Sequence, residues 1–449
     1  MDTRILELKH VTRDLPGGGI VLVLNTGALI PPEAEAMLQA LHSRSIGGIR
    51  AHLKVLAEKG FEKFMQTFFV GYGHKSIGDC GHGTIFVEGV SMLVAKAIQD
   101  WMLYAGQESS TRYLDFSTQK FIDPADRSDL LEELRQFYLK AQEPVRAHLR
   151  EQFPPGETEK ADIYEKAIKA RAFDITRGFL PAGASTNLSW HTNLRQAADK
   201  LGYIRHHPLE EVRIVAQAIE EALKEAFPSS FGGKRYEVTE CYHRDWMEEE
   251  YYFAPVPPWP LFALEHSGVD RRLLQHYERF LRERPEKTEL PKVIGETGMI
   301  QYAFLLDFAS FRDVQRQRAV YQRMPRLTLD YGFEPWYLEE LPAGLRDDAQ
   351  ALLLHNKIIV ADIAQEHQQY YIPMGYRTPN RITGDLPALV YLAELRSGSA
   401  VHPTLQKRAR QIGASLEELF GVFGLRLQID ETLTRFDVKR GTHDIVRKD

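Results

Sequence analysis

Cysteine is scarce: Cys80 and Cys241 are the only two in 449 residues, too few for a disulfide framework and normal for a reducing compartment. Long apolar runs are missing as well. The most apolar stretch, residues 19–31, is broken by Asn25 and Thr26 and is too short to span a bilayer. No charge dominates, since 56 Lys and Arg stand against 62 Asp and Glu, leaving −6 and a pI near 6.3. That balance argues against a chain whose main task is coating nucleic acid. Low-complexity tracts and long Pro/Gly/Ser linkers are absent, and Met1-Asp2-Thr3-Arg4 opens no signal pattern. These absences lead to the expectation of a cytoplasmic protein with neither membrane nor nucleic acid as partner. The composition that remains, 43% hydrophobic and 26% charged, is that of a folded globular chain. Its length exceeds what one hydrophobic core serves, so two domains are expected.

The boundary falls at Phe227-Pro228-Ser229-Ser230-Phe231-Gly232-Gly233, which stops a helix expected from about Glu211 to Ala226. Val212, Val215, Ala216, Ile219 and Leu223 form its apolar stripe. The stretches on either side, 1–230 and 235–449, repeat one order of features. In the first, Val90, Leu93, Val94, Ala97, Ile98 and Trp101 read as an apolar-faced helix running into Gln107-Glu108-Ser109-Ser110-Thr111-Arg112-Tyr113. In the second, Phe304, Phe308, Phe311 and Val314 read as a helix running into Arg316-Gln317-Arg318. Pro181 and Arg205 are then echoed by Pro373 and Arg396, and His207-Pro208 by His402-Pro403. An amphipathic helix closes each half, the second carrying Leu405, Ala409, Ile412, Leu416 and Leu419. The order implies an internal duplication.

Two segments carry a resemblance. Gly73-His74-Lys75-Ser76-Ile77-Gly78-Asp79-Cys80, followed by Gln107-Glu108-Ser109-Ser110-Thr111-Arg112-Tyr113, resembles the motifs of flavin-dependent thymidylate synthases. That family has a Gly-His-x-Ser-x-x-Glu-His segment, then Arg-His-Arg-x-x-Ser-x-Asn-Glu-x-Ser-x-Arg-Tyr. The resemblance implies an α+β fold of two homologous domains, each one subunit-like unit of sheet and helices. It implies a homodimer acting as a pseudo-tetramer, and transfer of a one-carbon group to a uracil nucleotide. The leading case is dUMP to dTMP, with FAD as cofactor and NADPH and methylenetetrahydrofolate as co-substrates.

Carried over by position, Glu108, Ser110, Arg112 and Arg177 bind the nucleotide; Arg316, Gln317, Arg318, His74 and Asn193 bind the flavin; Arg396 and Arg205 are the catalytic candidates. The departures are reciprocal. The basic triplet falls on Asp100-Trp101-Met102 in the first half, while Met324, Arg326 and Thr328 stand where the second half needs Glu, Ser and Arg. In the second half Gln369 replaces Arg177 and Asp385 replaces Asn193. Each half has lost what the other retains, so nucleotide groups from the first and flavin groups from the second are expected to share a site.

The residue chemistry fits on its own terms. A nucleotide monophosphate is a dianion that suits arginine forks and hydroxyl donors, and a diphosphate suits Arg316 and Arg318 but is repelled by Asp100. An arginine against a uracil carbonyl stabilises charge developing on the ring, and Arg396 is preferred because its half keeps the flavin arginines. Blander readings compete. Arg312 and Arg316 with Asp313 also fit a solvated helix face, and Trp101 and Trp190 fit core positions. His206-His207 reads as a solvated turn before Pro208, and the spacing of His74, Asp79, Cys80 and His82 matches no standard zinc pattern. Two rivals to the methylating enzyme stay open: a regulatory homologue that binds nucleotide or flavin without catalysis, and a flavoenzyme acting on another pyrimidine.

Overall fold

The computed structural model describes residues 10–24, 31–42, 48–62, 75–109, 111, 114–157, 159–231, 234–253, 259–398 and 401–429. The chain forms two compact units. The first takes Met1–Leu114 and Ala184–Tyr251; the second takes Asp115–Gly183 and Tyr252–Asp449. The units therefore do not follow the sequential boundary expected between residues 230 and 235. The helices Ser128–Gln152 and Ala161–Thr176, though early in sequence, belong to the second unit. The helix Glu237–Tyr251, beyond the expected boundary, belongs to the first.

In the first unit an antiparallel sheet runs β1-β2-β3-β5-β4, from β1 (His10–Asp14), β2 (Ile20–Leu24), β3 (His82–Ser91), β4 (Ala105–Glu108) and β5 (Ser185–Asn193). Val21 and Val23 of β2 and Ile85 and Val87 of β3 are fully buried while their neighbours are less so, the period-two pattern of a one-sided sheet. The helix Glu210–Ala226 lies against β1 and β2 and buries the expected stripe of Val212, Val215, Ala216, Ile219 and Leu223. Burying each valine or leucine contributes about 2 kcal/mol.

The second unit has an antiparallel sheet of order β6-β7-β9-β8, from β6 (Phe262–Ser267), β7 (Met299–Asp307), β8 (Tyr321–Arg323) and β9 (Arg377–Asp385). The helix Pro403–Phe420 packs on β7 and β6 and buries Leu405, Ala409, Ile412 and Leu416.

The order β6-β7-β9-β8 repeats β2-β3-β5-β4. Ser91 ends β3 and caps the helix Met92–Gln99 by accepting from Val94 N; Asp307 ends β7 and caps the helix Phe308–Val314 by accepting from Ser310 N. Each such cap contributes about 1 kcal/mol. The interval from cap to edge strand is the same in both, Ser91 to Ala105 and Asp307 to Tyr321. Asn193 and Asp385 likewise end β5 and β9 and cap the helices Leu194–Ile204 and Leu386–Ser397.

These caps correct one expectation. Val90 and Phe304 are strand residues, not helix residues. β7 is buried along most of its length and β3 becomes so where it meets its helix, and an apolar run buried in this way has no period that separates strand from helix.

Candidate functional site

The residues expected to act chemically are best seen in the second unit. Arg177 opens the short 3-10 turn Arg177–Phe179 after the helix Ala161–Thr176 and is buried to 5% exposure. Burial works against its charge, but Tyr337, Asp174, Asp313 and Asp307 outweigh it and raise its pKa. Its Nε and Nη2, the edge that grips a carboxylate or phosphate side-on, have no hydrogen-bond partner among the described residues. A buried cation with that edge open is costly unless it serves a ligand or a water.

Asp313 joins this arginine to the rest. It acts on Arg177 and on Arg396, and its carboxylate stands 3.9 Å from Arg316 Nη2. Gln317 is buried, and with its amide oriented to satisfy both ends, its oxygen accepts from Arg396 Nε and Nη2 at 3.0 Å each. Burial lowers the pKa of Arg396, Asp313 raises it and Arg316 lowers it further; the guanidinium stays charged regardless. Gln317 thereby fixes Arg396 by its Nε–Nη2 edge. Arg316 is half-exposed and Arg318 is exposed. Arg312, in contrast, is buried, so the reading of Arg312 and Arg316 as one solvated face holds only for Arg316.

Behind this cluster lies a buried hydrogen-bond network. Asp307 accepts from Tyr337 Oη at 2.7 Å and Thr404 Oγ1 at 2.6 Å, while Ser310 Oγ lies 3.0 Å from His402 Nδ1. His402 Nε2 lies 3.1 Å from the Asp174 carbonyl. A carbonyl only accepts, so Nε2 carries the proton and Nδ1 accepts. Burial holds the His402 pKa well below the ordinary histidine value, with Arg177 adding to it. The network ties the segment bearing Arg177 to the segment bearing Arg316.

The first unit places its candidates differently. Glu108, at the end of β4, accepts from Gln99 Nε2 at 2.8 Å. Asn193 spends its Oδ1 on Gln196 N as a helix cap. Arg205 is not open: Glu220 lies 3.2 Å away and Glu240 3.3 Å. It lines a 650 Å³ cavity with His206, Arg213, Lys224, Arg235 and Glu221. His206 pairs with Glu240 at 2.8 Å and His207 is buried, so the expected solvated turn is instead a packed one. Counted from the caps Asn193 and Asp385, Arg205 falls one residue beyond the position of Arg396. Asp79 pairs with Arg195 at 2.8 Å. Trp190 is core, while Trp101 is half-buried. His74, Ser110 and Arg112 lie outside the described residues. No described helix is long and apolar enough to cross a membrane.

Sequence reasoning missed Asp313, Tyr337 and Lys200. Asp313 sits three residues from Arg316, a helical ion-pair spacing that was read only as surface. Tyr337 and Lys200 carried no local signal.

Residues 33–229 match the family model described as thymidylate synthase complementing protein. That match is to the flavin-dependent thymidylate synthase family and covers less than half of the chain. It contains Glu108, Arg177, Asn193 and Arg205, while Arg316, Gln317, Arg318 and Arg396 lie beyond it. Relatives that span most of the chain are UPF0159 proteins. One from Chlamydia muridarum is 24% identical over 459 residues, covering 85% of this chain and 87% of its own. Another from Thermoplasma acidophilum is 22% identical over 423 residues, covering 77% and 84%. Among solved structures, the UMP/dUMP methylase PolB from Streptomyces cacaoi bound with 5-Br UMP is 14% identical, covering 44% of this chain and 87% of that one at a TM-score of 0.26. Thymidylate Synthase X from Helicobacter pylori, with FAD and dUMP, is 13% identical, covering 50% and 99% at 0.27. At TM-scores this low neither alignment places a residue of this chain.

Proposed function

We propose that the protein is an FAD-dependent one-carbon transferase acting on a uracil nucleotide, with dUMP to dTMP as the reaction. The observation that carries the proposal is that Asp313 acts on Arg177, Arg316 and Arg396 within one unit, with Gln317 holding Arg396. Arg177 comes from the sequential first half and the others from the second, which supports the shared site that the reciprocal motif losses imply. It also supports an internal duplication, as does the repeated strand order.

The donor set fits FAD and a nucleotide. Arg316 and Arg318 are exposed guanidiniums suited to a diphosphate. The open Nε–Nη2 edge of Arg177 suits a phosphate dianion. When bound, FAD reduced by NADPH supplies the hydride that completes the methyl group, whose carbon comes from methylenetetrahydrofolate, while the uracil C5 proton leaves. The protein supplies position and charge. Arg396, clamped by Gln317, is held to stabilise negative charge on a uracil carbonyl without having to reorganise. Asp313 keeps the clustered guanidiniums from repelling one another apart. Ser110, Arg112 and Glu108 remain assigned to the nucleotide and His74 and Asn193 to the flavin by motif position. Arg205 is the weaker catalytic candidate, because two glutamates already neutralise it.

The test is spectroscopic. Protein incubated with FAD and desalted should retain the visible flavin bands, and added dUMP should shift them. A protein that stays colourless after this treatment contradicts the proposal.

A further inference from the structure

The repeated strand–cap–helix arrangement lets one corner of each unit be compared position by position. Counted from the caps Ser91 and Asp307, Lys96 corresponds to Arg312, Asp100 to Arg316, Trp101 to Gln317 and Met102 to Arg318. Counted from Asn193 and Asp385, Lys200 corresponds to Leu392.

The two corners treat charge in opposite ways. In the second unit Arg316 and Arg318 are exposed, and the Asp313 carboxylate stands 3.9 Å from Arg316 Nη2. Gln317 is drawn inward to hold Arg396, which adds a third guanidinium. The exposed Arg316 is a cation that an incoming anion can meet. In the first unit the same positions satisfy one another. Lys96 Nζ lies 2.6 Å from Asp100 Oδ2, and Lys200 Nζ donates to the Asp100 carbonyl at 2.8 Å. The same ammonium sits 5.6 Å from the centre of the Trp101 ring, within cation–π reach. Lys200 is only 5% exposed, where its counterpart Leu392 is ordinary core. An anion approaching this corner meets Asp100 first and finds both lysines already engaged.

We propose that each chain binds one diphosphate-bearing ligand, at the corner following the helix Phe308–Val314, and that the corner following Met92–Gln99 is closed by Lys96, Asp100, Trp101 and Lys200. The proposal rests on the flavin reading for the identity of the ligand but not for the count. A chain with two units thus carries one cofactor rather than two. The closed corner keeps the shape of a site and uses it for internal packing.

Titration calorimetry of the full-length protein tests this with two probes, FAD and inorganic pyrophosphate. The expected stoichiometry is one per chain for each. Arg316→Ala should weaken both by at least about tenfold, whereas Asp100→Ala should leave both unchanged. Two FAD per chain, or loss of binding in Asp100→Ala, overturns the inference and leaves the flavin reading standing. One pyrophosphate per chain, lost in Arg316→Ala, with no uptake of FAD, upholds the inference and overturns the flavin reading. Absence of both ligands, or pyrophosphate binding that is unchanged in Arg316→Ala, overturns the inference.

Discussion

Lys200 offers a quantitative handle on the closed corner. Burial drives its pKa from 10.5 to about 8; Asp100 raises it against that trend and Lys96 lowers it further. An unfolded chain therefore still holds this proton between about pH 8 and 10.5, where the folded chain has released it. Stability must rise with pH across that window, and below pH 8 the folded state carries the full cost of a buried ammonium. The depressed pKa corresponds to about 3 kcal/mol at pH 7, of which less than 1 kcal/mol remains at pH 10. Lys200→Met removes the titrating group while keeping an unbranched side chain in the space. It also removes the hydrogen bond to Asp100 and the ring contact, but that loss shifts the variant equally at every pH. The quantity to read is the change in the stability difference, so the constant part cancels. Urea unfolding at pH 7, 8, 9 and 10, followed by tryptophan fluorescence, should show the variant losing about 2–3 kcal/mol relative to wild type as pH rises. A gap that stays constant from pH 7 to 10 would refute the buried ammonium.

Other consequences follow from the second unit. His402 is held neutral with a pKa well below 6.5, so the unfolded chain takes up a proton first and stability falls as pH drops below about 6.5. His402→Gln should remove a slope of up to about 1.4 kcal/mol per pH unit from an acid denaturation series, and an unchanged slope would argue against a buried neutral histidine. Arg396→Ala should cost on the order of a hundredfold in kcat or more, from loss of a positioned charge donor, while Arg205→Ala, already neutralised by Glu220 and Glu240, should cost less than about tenfold. The opposite ranking in steady-state assays would reverse the catalytic assignment. Gly183 N donates to Tyr370 O at 2.9 Å and Gly375 N to Gly178 O at 2.7 Å, on either side of the Pro181–Pro373 bridge. A Cβ on Gly183 would stand 2.6 Å from Tyr370 O and 2.9 Å from Ile122 O, both backbone. Gly183→Ala should cost about 2 kcal/mol, seen as a lowered Tm; an unchanged Tm would show that this junction can yield.

How far the sequence reveals these features depends on how local their cause is. The stripe from Val212 to Leu223 and the closing helix from Leu405 to Leu416 were legible, because amphipathic periodicity is written into consecutive residues. The strand–helix junctions at Ser91 and Asp307 were not, because buried strands and buried helices share one apolar composition. Packing of residues 115–183 with the second half has no local signature at all, as the bridge at Pro181 and Pro373 joins residues far apart in the chain. Among the candidate residues, the motif pointed to Arg177, Arg316, Gln317 and Arg396 without showing that Gln317 holds Arg396. Arg205 looked equivalent to Arg396 until Glu220 and Glu240 came into view, one on the helix Glu210–Ala226 and the other on Glu237–Tyr251. Lys200 carries no local sign of its burial, which comes from packing of its helix, as at its counterpart Leu392.

Methylation itself is the claim on which the account turns, and product analysis measures it directly. Purified protein is incubated with FAD, NADPH, methylenetetrahydrofolate and dUMP, and the nucleotides are separated and identified by mass spectrometry. The account predicts dTMP that depends on every component and forms on the order of a hundredfold more slowly, or slower still, with Arg396→Ala. A protein that retains FAD and binds dUMP yet returns the nucleotide unmethylated would contradict it.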